Sequence, residues 1–118
     1  MNKILVVDDD QDILMLVQVM LSMNNFNVEA VSRWEEIDNA MKVFKPDLVL
    51  LDVSLGGADG RDICKKMRLE KNTEDIPVIL FSANAEMGNS IHDCKAQAFI
   101  PKPFELSNLL QTIRTYVN

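Results

Sequence analysis

Short runs of consecutive apolar residues alternate with longer stretches in which apolar residues recur every three or four positions. The runs are the length of strands and rich in Val, Ile, Leu and Phe. They predict β-strands at Ile4–Val7, Asn27–Val31, Leu48–Leu51, Val78–Phe81 and Phe99–Pro101. Helices are predicted between them. The first carries Ile13, Leu16, Val17, Met20 and Leu21 on one stripe, and the second Ile37, Ala40, Met41 and Phe44. A third runs through Ile63 and Met67, and the last through Leu106, Leu109, Leu110, Ile113 and Val117. The fourth window, Ala85–Ala96, is interrupted by Gly88, Asn89 and Ser90 and is the weakest. Five βα units with short connections imply an α/β domain whose parallel sheet is covered on both faces. Strands 1, 3 and 4 are the most uniformly apolar, as central strands should be, whereas Pro101 suits an edge.

Four of these runs end in a polar residue that could do chemistry: Asp8, Asp52, Ser82 and Lys102. In a parallel sheet all four side chains emerge at the carboxyl edge, where open α/β sheets bind ligands. Asp8, Asp9, Asp10 and Asp52 then converge on neighbouring strand ends. Carboxylates that close repel unless a cation joins them, and a hard ion such as Mg²⁺ suits carboxylate oxygens. Lys102 adds a second cation and Ser82 a hydroxyl. Two cations and a donor around one carboxylate describe a site able to stabilise a transferring phosphoryl group, with a carboxylate as a possible nucleophile.

Composition narrows the setting. A chain of 118 residues, 47% hydrophobic and 25% charged, is sized for one globular domain. The net charge of −6 leaves no basic stripe for nucleic acid, and charges recur too often for a membrane span. The opening MNKILVVDDD has only a four-residue apolar run before its acids, so it is not a secretory signal, and a cytoplasmic location is expected. Cys64 and Cys94 lack metal-site spacing and read as reduced thiols.

The motifs VVDDD (Val6–Asp10), LLDVSLGGADG (through Gly60), FSAN (Phe81–Asn84) and PKPF (Pro101–Phe104), in this order and spacing, resemble those of response regulator receiver domains in two-component signalling. The likeness covers nearly the whole chain, so residues 1–118 are expected to form one receiver domain. It implies a flavodoxin-like, doubly wound five-stranded parallel sheet of order 2-1-3-4-5 with five helices. It also implies that Asp52 is the phosphoacceptor, taking a phosphoryl group from a histidine kinase or phosphotransfer protein and catalysing its own phosphorylation and dephosphorylation. By the same resemblance Asp9 ligates Mg²⁺ directly, Asp8 through water, Asp52 directly, and Ser54 through its backbone carbonyl. Ser82 and Phe99 become the switch pair, Lys102 pairs with the phosphoryl group, and the Lys102–Pro103 bond is expected to be cis. The face of the fourth and fifth helices and strand 5 would be read by an unidentified downstream protein, with the chain a monomer or a phosphorylation-dependent dimer. The end of the sequence at Asn118 suggests a stand-alone receiver without an output domain.

Other residues read differently. Asp10 and Asp59 suit helix N-caps. His92 reads as a surface residue, Trp34 as a partly buried edge near the second helix, and the methionines as core filling. Beside the core stripe of the first helix, Met15, Val19 and Met23 recur every four residues with Leu14 next to them, an apolar outer face. Leu14, Met15 and Val19 are therefore candidates for the contact with the histidine-bearing donor. Gly56 stands where receivers usually have Pro, which suggests a more mobile loop. Lys95 stands where Gly commonly ends the fourth helix, which suggests a different cap there. Phe99 lacks the hydroxyl of the commoner Tyr, and Ser54 and Asn84 lie where the family tunes phosphoryl lifetime.

Two unrelated activities fit less well. A haloacid-dehalogenase-type phosphatase needs a second Asp two residues after the nucleophile, where this chain has Ser54. In a flavodoxin, DDDQD would repel the phosphate it must hold. The remaining alternative is a pseudo-receiver, a scaffold that works without phosphorylation.

Overall fold

A computed structural model describes residues 1–117. Five parallel strands, β1 (Lys3–Val7), β2 (Asn27–Val31), β3 (Leu48–Asp52), β4 (Val78–Ser82) and β5 (Ala98–Pro101), form one sheet in the order β2-β1-β3-β4-β5. The expected doubly wound architecture is therefore present. The helices are α1 (Gln11–Ser22), α2 (Ile37–Phe44), α3 (Gly60–Leu69), α4 (Ile91–Cys94) and α5 (Leu106–Tyr116). Two 3₁₀ segments precede α2 and α4, at Trp34–Glu36 and Ala85–Ser90. Half of the weak fourth window is thus 3₁₀, and α4 itself is a single turn.

The two-residue period of the strands splits the core into two layers. Ile4, Val6, Leu48, Leu50, Ile79, Phe81 and Ile100 pack with Leu14, Val17 and Leu21 of α1 and Leu109, Leu110 and Ile113 of α5. Leu5, Val7, Val49, Leu51, Val78 and Leu80 pack on the other face with Ile37 and Met41 of α2, Cys64 and Met67 of α3, and Cys94 of α4. Strands β3 and β4 are buried along their whole length, and β1 is buried except at Lys3, because helices cover both faces.

The phase of α1 differs from the sequence reading. Leu14 is buried at 5% exposure, whereas Leu16, assigned to the core stripe, is 52% exposed. Leu14, Val17 and Leu21 follow a three- and four-residue spacing that faces the sheet, and this places Leu16 with Met15, Val19 and Met23 on the outside. Leu14 therefore cannot belong to a surface contact. Leu106 is likewise exposed, so the buried stripe of α5 begins at Leu109.

Helix ends follow local chemistry. The Asp10 carboxylate accepts from the N–H groups of Asp12 and Ile13, and that of Asp59 from Arg61 N–H, satisfying donors at the first turns of α1 and α3. Lys95, expected to require a different cap, adopts the left-handed conformation itself, with φ of 61°. The guanidinium of Arg68 donates to the Lys95 carbonyl at 3.0 Å, to Ile76 O at 2.8 Å and to Gln97 Oε1 at 2.8 Å, stapling the segments on either side of β4. Cys64 and Cys94 are buried and not joined by a disulfide, and burial pushes the Cys64 thiol up to about 12.

Candidate functional site

The chain leaves β1 toward β2 on one side and returns through β3 on the other. The crevice beyond the ends of β1 and β3 is thus the topological switch point of the sheet. Asp8 continues the row Ile4–Val6, and Asp52 the row Leu48–Leu50, so both carboxylates stand on the α1/α5 side. Asp8 is fully buried and Asp52 is 5% exposed, while Asp9, one residue out of phase, is exposed. One carboxylate oxygen from each of Asp8, Asp9 and Asp52 can be chosen so that all lie within 4.8 Å of one another.

Lys102 reaches this cluster from the loop after β5. Its Nζ lies 2.7 Å from Asp8 Oδ2 and 3.5 Å from Asp52 Oδ2. The Phe81 ring lies under the ammonium at 4.5 Å, and Phe104 meets Phe81 edge-on at 6.3 Å. Phe81 thus supplies a cation–π seat for the lysine, a role the sequence reading missed although both rings lay in quoted motifs. The Lys102–Pro103 bond is cis, as expected, and Lys102 N–H donates to Ser82 O at 2.8 Å.

Backbone donors complete the pocket. Asp10 N–H donates to Asp8 Oδ1 at 3.0 Å, and Ser54 N–H reaches Asp52 Oδ1 at 3.4 Å. Burial, then the neighbouring Asp8 charge, push the Asp52 carboxyl up from 3.8 to about 7, against the opposing pull of Lys102. The Ser82 hydroxyl accepts from Asn84 N–H at 3.1 Å, and Asn84 Oδ1 accepts from Glu86 N–H at 3.0 Å. A hydrogen-bonded relay therefore runs from the pocket into the 3₁₀ segment. The Phe99 ring packs on that segment beside Gly88. A Cβ on Gly60 would collide with the backbone carbonyl of Asp52, so only glycine lets α3 start this close to the strand end.

The structure therefore brings Asp8, Asp9, Asp52 and Lys102 together, with Ser82 at the end of the adjacent strand and Ser54 in the loop beyond Asp52. Met15 and Val19 lie outside on α1, and the Phe99 ring lies against Gly88. Trp34 is more open than expected, at 40% exposure. Three hard oxygen donors this close, two of them sheltered, suit a small divalent cation.

An open parallel sheet of this order, covered by helices on both faces and with an acidic switch point, defines the flavodoxin-like class of folds. A family model described as "response regulator receiver domain" matches residues 4–114. The transcriptional regulator RpaA of Synechocystis is 31% identical over 116 residues, covering 97% of this chain and 48% of that protein. The BeF₃-activated N-terminal receiver domain of Klebsiella pneumoniae RstA superposes with a TM-score of 0.87 at 27% identity, covering 98% of this chain and 97% of that one. A putative response regulator from Chloroflexus aurantiacus shares the fold at a TM-score of 0.91, with 24% identity and 98% and 96% coverage. The chain belongs to the response regulator receiver family of two-component systems. It spans about half the length of the curated relatives it matches, and DNA binding is named for RpaA as a whole protein. No helix among the described residues is long and apolar enough to cross a membrane.

Proposed function

We propose that Asp52 accepts a phosphoryl group from a phosphohistidine on a histidine kinase or phosphotransfer protein. The observation that carries this reading is the convergence of Asp8, Asp9 and Asp52 within 4.8 Å with Lys102 Nζ placed between Asp8 and Asp52. An Asp52 carboxylate oxygen attacks phosphorus, the P–N bond to the donor imidazole breaks, and an acyl phosphate remains on Asp52. Asp8, Asp9, Asp52 and the Ser54 carbonyl would hold Mg²⁺, which would supply positive charge to offset that of the transferring phosphoryl oxygens. Lys102 supplies a second positive charge, and the Ser82 hydroxyl donates to a phosphoryl oxygen.

Once Ser82 turns toward the phosphoryl group, its bond from Asn84 N–H is disturbed and the 3₁₀ segment beneath Phe99 shifts with it. Phosphorylation thereby biases a two-state surface around α4, β5 and α5 that a downstream protein reads, or that pairs two copies. Met15 and Val19, joined by Leu16, form the α1 contact with the donor, and Leu14 takes no part because it is buried. Residues 1–118 act in this reading as one receiver domain, although Asn118 lies outside the described residues, and no nucleic acid is bound by it. The exchange takes place in the cytoplasm, where buried thiols such as Cys64 and Cys94 stay reduced.

The test is incubation with Mg²⁺ and acetyl phosphate followed by intact mass. One added phosphoryl group, absent in Asp52→Asn, supports the reading. No adduct with Mg²⁺ shown to bind favours a phosphorylation-independent scaffold.

A further inference from the structure

The loop after Asp52 makes a two-sided contact that phosphoryl transfer itself does not use. Gly56 and Gly57 form its tip, with φ of 53° and 108°. Leu55 N–H donates to Ala58 O at 3.1 Å, and Ser54 and Asp59 form an antiparallel bridge. Positive φ at both central positions is what a type I′ turn requires, and a Gly-Gly pair meets it without steric cost. The turn falls in the loop for which the sequence suggests greater mobility.

One side of this tip lies on the carboxylate cluster: a methyl group on Gly56 would sit 3.2 Å from Asp9 Oδ2. The other side lies against the only tryptophan, since a methyl on Gly57 would sit 3.3 Å from Trp34 Nε1. Asp8 is held by Lys102 and by Asp10 N–H, and Asp52 by Ser54 N–H and Lys102. Among the described residues no hydrogen bond or ion pair holds the exposed Asp9 carboxylate, and the turn borders it on one side.

We propose that Trp34 is a positioning residue for the divalent-cation site: it backs the Gly56–Gly57 turn, and the turn confines the Asp9 carboxylate within reach of Asp8 and Asp52. The inference rests on the divalent-cation reading of the pocket. It assigns Trp34, which is 40% exposed, a part in the site from outside it. An aromatic ring fills space beside Gly57 that a leucine would leave partly open.

Calorimetric titration with Mg²⁺ of the unmodified chain, Trp34→Phe and Trp34→Leu tests this, alongside metal-free melting of each. Mg²⁺ affinity should fall about 10-fold in Trp34→Leu, as for loss of a group that orients a ligand, and stay within about twofold in Trp34→Phe. The two variants should melt together without metal. Trp34 emission in the unmodified chain should change as Mg²⁺ saturates, and not in Asp9→Asn. Unchanged affinity in Trp34→Leu, equal losses in both variants, or saturation without a change in emission would overturn the proposal. Absence of any Mg²⁺ binding by the unmodified chain would instead overturn the divalent-cation reading, and this inference with it.

Discussion

Lys102 Nζ lies closer to Asp8, at 2.7 Å, than to Asp52, at 3.5 Å. The lysine is therefore first the partner of a fully buried carboxylate and only second that of the residue proposed to carry the phosphoryl group. Removing it leaves Asp8 unpaired away from water. Lys102→Met should cost about 3 kcal/mol of metal-free stability, the usual penalty for stranding a buried charge. Mg²⁺ should recover part of that loss. Urea unfolding with and without Mg²⁺ measures both, and a metal-independent loss would contradict the pairing.

The raised carboxyl of Asp52 gives a signed pH dependence. Its folded value of about 7 exceeds 3.8, so between these values the folded state keeps a proton that the unfolded chain releases. The stabilisation from this group is therefore fully present below about pH 4 and is lost as pH rises through 7. Without metal at pH 8, Asp52→Asn should be more stable than the unmodified chain by on the order of 2–4 kcal/mol. At pH 4 the two should be nearly equal. Thermal melts across this range check the sign, and parallel curves would refute it. For the same reason Mg²⁺ affinity should weaken below pH 7, because the proton competes for Asp52.

The glycines near the pocket should differ sharply in tolerance. A Cβ at Gly60 meets the Asp52 backbone carbonyl, which cannot move without displacing the strand, whereas a Cβ at Gly88 meets the Phe99 ring at 3.4 Å, an ordinary contact. Gly60→Ala should cost roughly 3 kcal/mol or more, and Gly88→Ala should be neutral or stabilising by about 0.5 kcal/mol. Denaturant midpoints separate them. A tolerated Gly60→Ala would show that the strand end has slack.

On α1, Met15 is 67% and Val19 51% exposed. Met15→Gln with Val19→Gln should slow phosphoryl transfer from the cognate histidine donor by roughly 30-fold or more, since apolar interface anchors carry on the order of 1–2 kcal/mol each. The rate with acetyl phosphate should not change. An equal loss with both donors would remove α1 from the contact.

Much of the site was legible because parallel strands place their ends together. Once ILVV, LVLL and VILF read as central strands, Asp8, Asp52 and Ser82 had to share an edge. The phase of α1 was not legible, because apolar residues lie on nearly every side of Ile13–Met23 and periodicity alone does not single out Leu14 over Leu16. The sheet makes that choice. The cap at Lys95 depends on Arg68, which donates to its carbonyl from another helix. The contact of Trp34 with Gly57 arises only when the turn folds back, and its one sequence trace is the Gly-Gly pair.

The most direct measurement locates the phosphoryl group. After reaction with acetyl phosphate and Mg²⁺, borohydride reduction of the acyl phosphate followed by peptide mass spectrometry should mark Asp52 alone, with no mark when Mg²⁺ is chelated. Modification of Asp8 or Asp9, or an unmarked chain that binds Mg²⁺, would contradict the assignment of Asp52 as the phosphoacceptor.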